Sequence, residues 1–92
     1  MLTKYPQIRA EVWSQINCLA CDQAKKILES RYIQYNECML GINGYSKKDL
    51  INKIPNARSV PQIFLNGKLI GGLQELKKEL ADYDNNKVTT MG

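Results

Sequence analysis

Histidine is absent from this 92-residue chain. That removes every mechanism built on imidazole: the Ser-His-Asp triad, the Cys-His pair and the His-ligated metal. Chemistry must come from Cys, Asp, Glu, Lys or Tyr. Long apolar runs are missing too. The longest, such as Cys38 to Ile42, reach about five residues against the roughly 20 that span a bilayer, so no transmembrane helix and no membrane partner are expected. With only six glycines and three prolines, disordered and collagen-like classes are excluded. The first residues, Met1 to Gln7, lack the apolar core of a secretory signal, and a cytoplasmic location is expected.

Charge of one sign is also in short supply. Thirteen basic against nine acidic side chains leave a formal charge of +4. The doublets Lys25-Lys26, Lys47-Lys48 and Lys77-Lys78 all fall in segments with helical character and read as solvated helix faces. No basic stripe interleaved with aromatics is present, and no nucleic-acid partner is expected. A chain of this length buries only roughly 60 to 65% of the surface its unfolded form exposes. One domain over residues 1–92 is expected, a monomer with its core at about 8–83 and loosely held ends at 1–6 and 84–92.

What is there alternates between two periods. Ile8, Ala10 and Val12 alternate ahead of Trp13, suiting a first strand from Ile8 through Ser14. Ala20, Ala24, Ile27 and Leu28 then share one helical face over about Leu19 to Ser30, with Asn17 as the expected cap. Tyr32 to Leu40 reads as a second strand, closed by a turn at Gly41-Ile42-Asn43-Gly44. Ser46-Lys47-Lys48-Asp49 has the form of a capping box opening a short helix that Pro55 stops. Gln62 to Leu65, Asn66-Gly67 and Lys68 to Gly71 form a hairpin signal, because a type I′ turn needs positive φ at both central residues. The last helix opens at Gly71-Gly72 and places Leu73, Leu76, Leu80 and Tyr83 on one face. The order β-α-β-α-β-β-α predicts an α/β domain: a four-stranded mixed sheet with three helices packed on its faces.

Cysteine is scarce, and two of the three sit together. Cys18-Leu19-Ala20-Cys21 falls where the first strand hands over to the first helix. Backbone N–H groups of a first helical turn lack intrahelical partners and the dipole there is positive, so Cys18 is favoured as a thiolate, below the free thiol value of about 8.5. A thiolate attacks a disulfide and is released by a second thiol, for which Cys21 stands one turn away. Two other roles compete: half of a structural zinc site, for which only Cys38 remains as a further thiol, and a structural disulfide, which in so short a loop constrains the unfolded chain little. No metal is expected. Cys38, among Tyr35, Met39 and Leu40, reads as a small buried hydrophobe. Base rates alone leave the Val60-Pro61 bond trans, and a Gly-Gly pair alone reads as a turn.

Taken in order, the Cys-x-x-Cys pair, Ser59-Val60-Pro61-Gln62-Ile63-Phe64, Asn66-Gly67-Lys68 and Ile70-Gly71-Gly72 resemble the glutaredoxin family of the thioredoxin-like fold over roughly residues 8–83. The resemblance implies glutathione-dependent thiol–disulfide exchange, with Cys18 as nucleophile and Cys21 as resolving thiol. It implies a cis Pro61, with Ser59 and Val60 beside it along the glutathione groove, and Gly72, Leu73 and Gln74 holding the γ-glutamyl carboxylate. Trp13-Ser14 also matches the family pattern, and Arg58 offers an anion contact. Three positions depart from it: Leu19-Ala20 replaces Pro-Tyr, Gln15 replaces a Lys in the groove, and Gln74 replaces an Asp. Losing the Lys and the Tyr removes a cation and an aromatic wall from the glutathione site. Protein disulfides and glutathione mixed disulfides are the implied substrates, with ribonucleotide reductase as a conceivable client. A redoxin served by thioredoxin reductase, and an iron–sulfur cluster bridged by two chains, are the alternatives.

Overall fold

The computed structural model describes residues 8–42 and 44–91, with side chains as far as Asp82. Expectations for residues 1–6, Asn43, the side chain of Tyr83 and Gly92 lie outside the described residues. Seven elements follow in the expected order: β1 (Arg9–Ser14), α1 (Leu19–Ser30), β2 (Gln34–Met39), α2 (Lys47–Lys53), β3 (Gln62–Leu65), β4 (Lys68–Gly71) and α3 (Leu73–Met91). The strands form one sheet in the order β2-β1-β3-β4. β1 runs parallel to β2 and antiparallel to β3, and β3 pairs antiparallel with β4.

Period-two alternation along β1 and β3 splits the core between the two faces of this sheet. Ala10, Val12, Ile63 and Leu65 point to one side, where Ala24 and Leu28 of α1 and Leu76 and Leu80 of α3 cover them. Trp13 and Phe64 point to the other, with Cys38 of β2 and Leu50 and Ile54 of α2. Leu28, Ile63, Leu76 and Leu80 are fully buried, each contributing about 2 kcal/mol of transfer free energy. On the α2 side Lys53 pairs with Glu11 at 3.5 Å and lies 5.1 Å from the Phe64 ring centre, holding the short helix to the sheet.

Local chemistry explains most boundaries. Ser46 caps α2: its hydroxyl accepts from the Asp49 N–H at 3.2 Å while its own N–H donates to Asp49 at 3.0 Å. Asn66 and Gly67 take φ of 51° and 82°, as the type I′ turn requires. Asn66 also bonds β1 twice, its N–H to the Arg9 carbonyl at 2.8 Å and its side-chain oxygen to the Arg9 N–H at 2.9 Å. Two expectations are corrected. Asn17 does not cap α1; it takes φ of 60°, a left-handed turn that an Asn tolerates, and this puts Cys18 at the cap with extended geometry. The second strand starts at Gln34 rather than Tyr32, because Tyr32 has φ of 60° and its N–H still bonds back to Glu29. The helix α3 runs on through residues 84–91 to Met91, a stretch that no Pro or Gly interrupts.

Candidate active site

The site is built on the N-terminal end of α1. Cys18 and Cys21 are joined in a disulfide with their Cα atoms 5.2 Å apart. Cys18 is the cap residue, and its Sγ stands where a Ser or Asp oxygen would ordinarily sit, accepting the Cys21 N–H at 3.1 Å. Its carbonyl accepts the Asp22 N–H, starting the helical ladder. The two sulfurs differ in access: Cys18 is half-buried and faces a cleft, whereas Cys21 is 1% exposed and packed inside. Incoming sulfur can therefore reach Cys18 before Cys21.

Across from Cys18 lies the segment before β3. The Val60–Pro61 bond is cis, and the Val60 carbonyl oxygen is 3.9 Å from Cys18 Sγ. Neither the Val60 N–H nor its carbonyl has a backbone partner among the described residues. Both remain open to an extended chain laid alongside. A cleft of about 690 Å³ opens here and brings together Gln15, Cys18, Arg58, Ser59 and Val60. Pro61 itself is buried behind them.

Gly72, Leu73 and Gln74 are not part of that cleft's lining. They open α3 on the far side of Pro61, where a Cβ on Gly72 would come within 3.4 Å of the Pro61 carbonyl oxygen. Leu73 packs its side chain on the core, leaving its backbone N–H as the only group it offers a ligand, and the Gln74 side chain is exposed. Glu75 already occupies part of this helix end, accepting the Gly72 N–H at 2.9 Å. Gly71, with φ of +126°, takes a conformation open to glycine, and a Cβ there would meet Glu75 Cγ at 2.9 Å.

One lysine doublet is not wholly solvated, correcting the reading from sequence: Lys25 is partly buried, whereas Lys47 and Lys48 are exposed as expected. Lys47 turns to the cleft, where it lies with Leu50 and Ile51 of the same helix. Lys25 is drawn inward to Glu37 of β2 at 2.8 Å, and Glu37 also accepts the hydroxyl of the fully buried Ser14 at 2.6 Å. Burial pushes the Glu37 carboxyl up. The hydrogen bonds from Lys25 and Ser14, with the Lys25 charge, outweigh this and hold it below the usual carboxylate range. The bond to Glu37 raises Lys25 in turn, partly offset by its burial. This triad ties the last residue of β1 to the middle of α1, and so steadies the cysteine-bearing end of the helix. No spacing rule links positions 14, 25 and 37; only the parallel pairing of β1 with β2, which sets Val12 opposite Glu37, brings them together.

The third cysteine, Cys38, is buried and free, on the α2 side of the sheet. Burial raises its thiol, outweighing a bond from Tyr45. Tyr45 also sets its ring edge-on to Trp13, with centroids 5.4 Å apart. Among the described residues no three Cys, Asp or Glu side chains gather as a metal-binding group. No described helix is long and apolar enough to cross a membrane.

A disulfide at a helix N-terminus, set against a cis-proline just ahead of a neighbouring strand of a four-stranded mixed sheet, is the arrangement of the thioredoxin-like oxidoreductase fold. The glutaredoxin family model matches residues 10–70. The chain belongs to the glutaredoxin family. Mitochondrial glutaredoxin-2 of Mus musculus is 35% identical over 63 residues, covering 66% of this chain and 40% of that protein. The match thus spans well under half the length of that relative. Glutaredoxin 3 of Escherichia coli K12 is 29% identical over 66 residues, covering 72% of this chain and 78% of its own. Among solved structures, glutaredoxin 1 of Francisella tularensis, crystallised with cacodylate, superposes with a TM-score of 0.72 at 22% identity, over 85% of this chain and 98% of that one. A buckwheat glutaredoxin–glutathione complex superposes with a TM-score of 0.68 at 25% identity, over 79% of this chain and 68% of its own.

Proposed function

We propose that this chain reduces disulfides by dithiol exchange and is itself re-reduced by glutathione, with Cys18 as the attacking and Cys21 as the resolving sulfur. The observation that carries the proposal is the position of Cys18 Sγ: it caps α1, accepts the Cys21 N–H at 3.1 Å and faces the cleft, while Cys21 is shut inside. The same N–H that meets the sulfur in the disulfide stabilises a thiolate there after reduction.

In the reduced protein the Cys18 thiolate attacks one sulfur of a client disulfide. The new Cys18–client S–S bond forms as the client bond breaks, and the departing client thiolate takes a proton from solvent. Cys21 then loses its proton and attacks Cys18 Sγ. That releases the second client thiol and leaves the Cys18–Cys21 disulfide seen in the structure. Two electrons and two protons pass to the client. Two glutathione thiols reverse the change: the first forms a mixed disulfide with Cys18 and frees Cys21, and the second displaces it as glutathione disulfide.

Val60 supplies an open N–H and carbonyl for an extended tripeptide, with Ser59 beside it and Pro61 behind. Arg58 and Gln15 line the cleft where one end of such a ligand lies, and the first-turn N–H groups of Leu73 and Gln74 remain for a carboxylate at the other, Glu75 holding that of Gly72. The buckwheat relative crystallised with glutathione supports the choice of reductant. A second reductant is favoured by one specific observation: Glu75 competes for the helix end that the γ-glutamyl carboxylate needs. NADPH oxidation with glutathione and glutathione reductase, run against thioredoxin reductase alone, separates the two. Turnover only in the first system is expected; turnover only in the second overturns glutathione as the electron source.

A further inference from the structure

The cleft beside Cys18 carries a chemistry of its own, set by α2 rather than by the cysteine-bearing elements. Among the described residues its lining includes two cations, Lys47 and Arg58, and no acidic residue. Neither cation has an ion-pair or hydrogen-bond partner among the described residues. Between them the walls are aliphatic. Leu19 is 72% exposed and Ile51 43%, both large apolar side chains that line the cleft. At Leu19 a flexible aliphatic side chain stands directly beside the reactive sulfur.

We propose that this cleft selects a client polypeptide whose disulfide lies in an extended acidic segment with an aliphatic side chain next to the reactive cysteine. The proposal rests on the dithiol exchange argued above and specifies the client of that same site. The aliphatic side chain fills the space between Leu19 and Ile51, removing both from water. The client's carboxylates meet Lys47 and Arg58 at the rim, where uncompensated positive charge speeds encounter and rejects basic segments. The client backbone runs along the open N–H and carbonyl of Val60, which places its sulfur at Cys18, 3.9 Å from that carbonyl.

Binding is measured apart from the reaction. Labelled extended peptides of one length, with Ser in place of the reactive Cys, are titrated into the oxidised protein and followed by fluorescence anisotropy. Their flanks are Leu with Glu, Leu with Lys, or Ser with Glu. The Leu–Glu peptide is expected to bind at least about fivefold more tightly than the Leu–Lys peptide at low salt, an advantage that shrinks in about 0.5 M salt. It is also expected to bind more tightly than the Ser–Glu peptide, at any salt. Lys47→Glu and the milder Lys47→Gln should reduce the preference for Glu, and Ile51→Ser the preference for Leu, with unchanged circular dichroism. Equal affinity for the three peptides, or tighter binding of the basic one, overturns the proposed client class whether or not the small disulfide is turned over. Loss of turnover on hydroxyethyl disulfide by the parent protein overturns the exchange reaction and leaves the peptide affinities to decide what the cleft binds.

Discussion

Cys18 Sγ and the Val60 carbonyl oxygen, 42 residues apart in the chain, face each other at 3.9 Å across the mouth of the cleft. One belongs to the turn after β1 and the other to the segment before β3, and the antiparallel pairing of those strands, with Trp13 opposite Gln62, is what brings them together. A sulfur exchanged at Cys18 therefore arrives beside an open peptide edge.

The two cysteines should separate by role. Cys18→Ser is expected to bring disulfide reduction to background. Cys21→Ser should abolish the reduction of protein disulfides yet retain activity on glutathione mixed disulfides, which needs one thiol only. Steady-state rates on both substrate types check this split.

In the reduced protein, iodoacetamide at neutral pH should modify Cys18 first and leave Cys38 untouched until the protein is unfolded. Cys18 lies at a helix N-terminus, whereas Cys38 is buried and its thiol is pushed up by that burial. Peptide mapping by mass spectrometry over a time course reads the order directly.

The Ser14–Glu37–Lys25 triad should make stability depend on pH at both ends. Glu37 titrates below its usual range, so its contribution is present above about pH 4.3 and is lost as the pH falls through its lower folded value. Lys25 is raised, so its contribution is present below about pH 10.4 and is lost as the pH rises through its folded value. Glu37→Gln should cost about 1 kcal/mol at neutral pH, with the gap to the parent narrowing in acid. Urea denaturation across pH measures both limbs.

Glu75 holds the Gly72 N–H at 2.9 Å, at the helix end expected to receive the γ-glutamyl carboxylate. Glu75→Ala frees that donor and removes a negative charge, and should lower the KM for glutathione by about threefold while costing about 0.5 kcal/mol of stability. A KM that rises instead would show that Glu75 aids the ligand rather than competing with it.

The legible features were those whose signal is local. Asn66-Gly67 encodes its own turn, Ser46 and Asp49 their own capping box, and Cys18-x-x-Cys21 its place at a strand–helix junction. Where two neighbouring residues could each fill a structural role, the reading failed: Asn17 took the left-handed turn and left the cap to Cys18. Lys47 was illegible as a cleft residue because a lysine doublet on a short helix looks the same whether it faces solvent or a partner element. The isomer of the Val60-Pro61 bond came from the family resemblance of Ser59-Val60-Pro61 rather than from base rates, which point the other way. Glu37 and Lys25 meet only through the pairing of β1 with β2 and the packing of α1 on the sheet, a relationship no spacing rule contains.

The most direct test is to capture the intermediate. Reduced Cys21→Ser protein is mixed with glutathione disulfide, quenched in acid and analysed by intact mass and peptide mapping. A single glutathione on Cys18 is the predicted result. No adduct, or one carried by Cys38, contradicts the assignment of Cys18 as the exchanging sulfur.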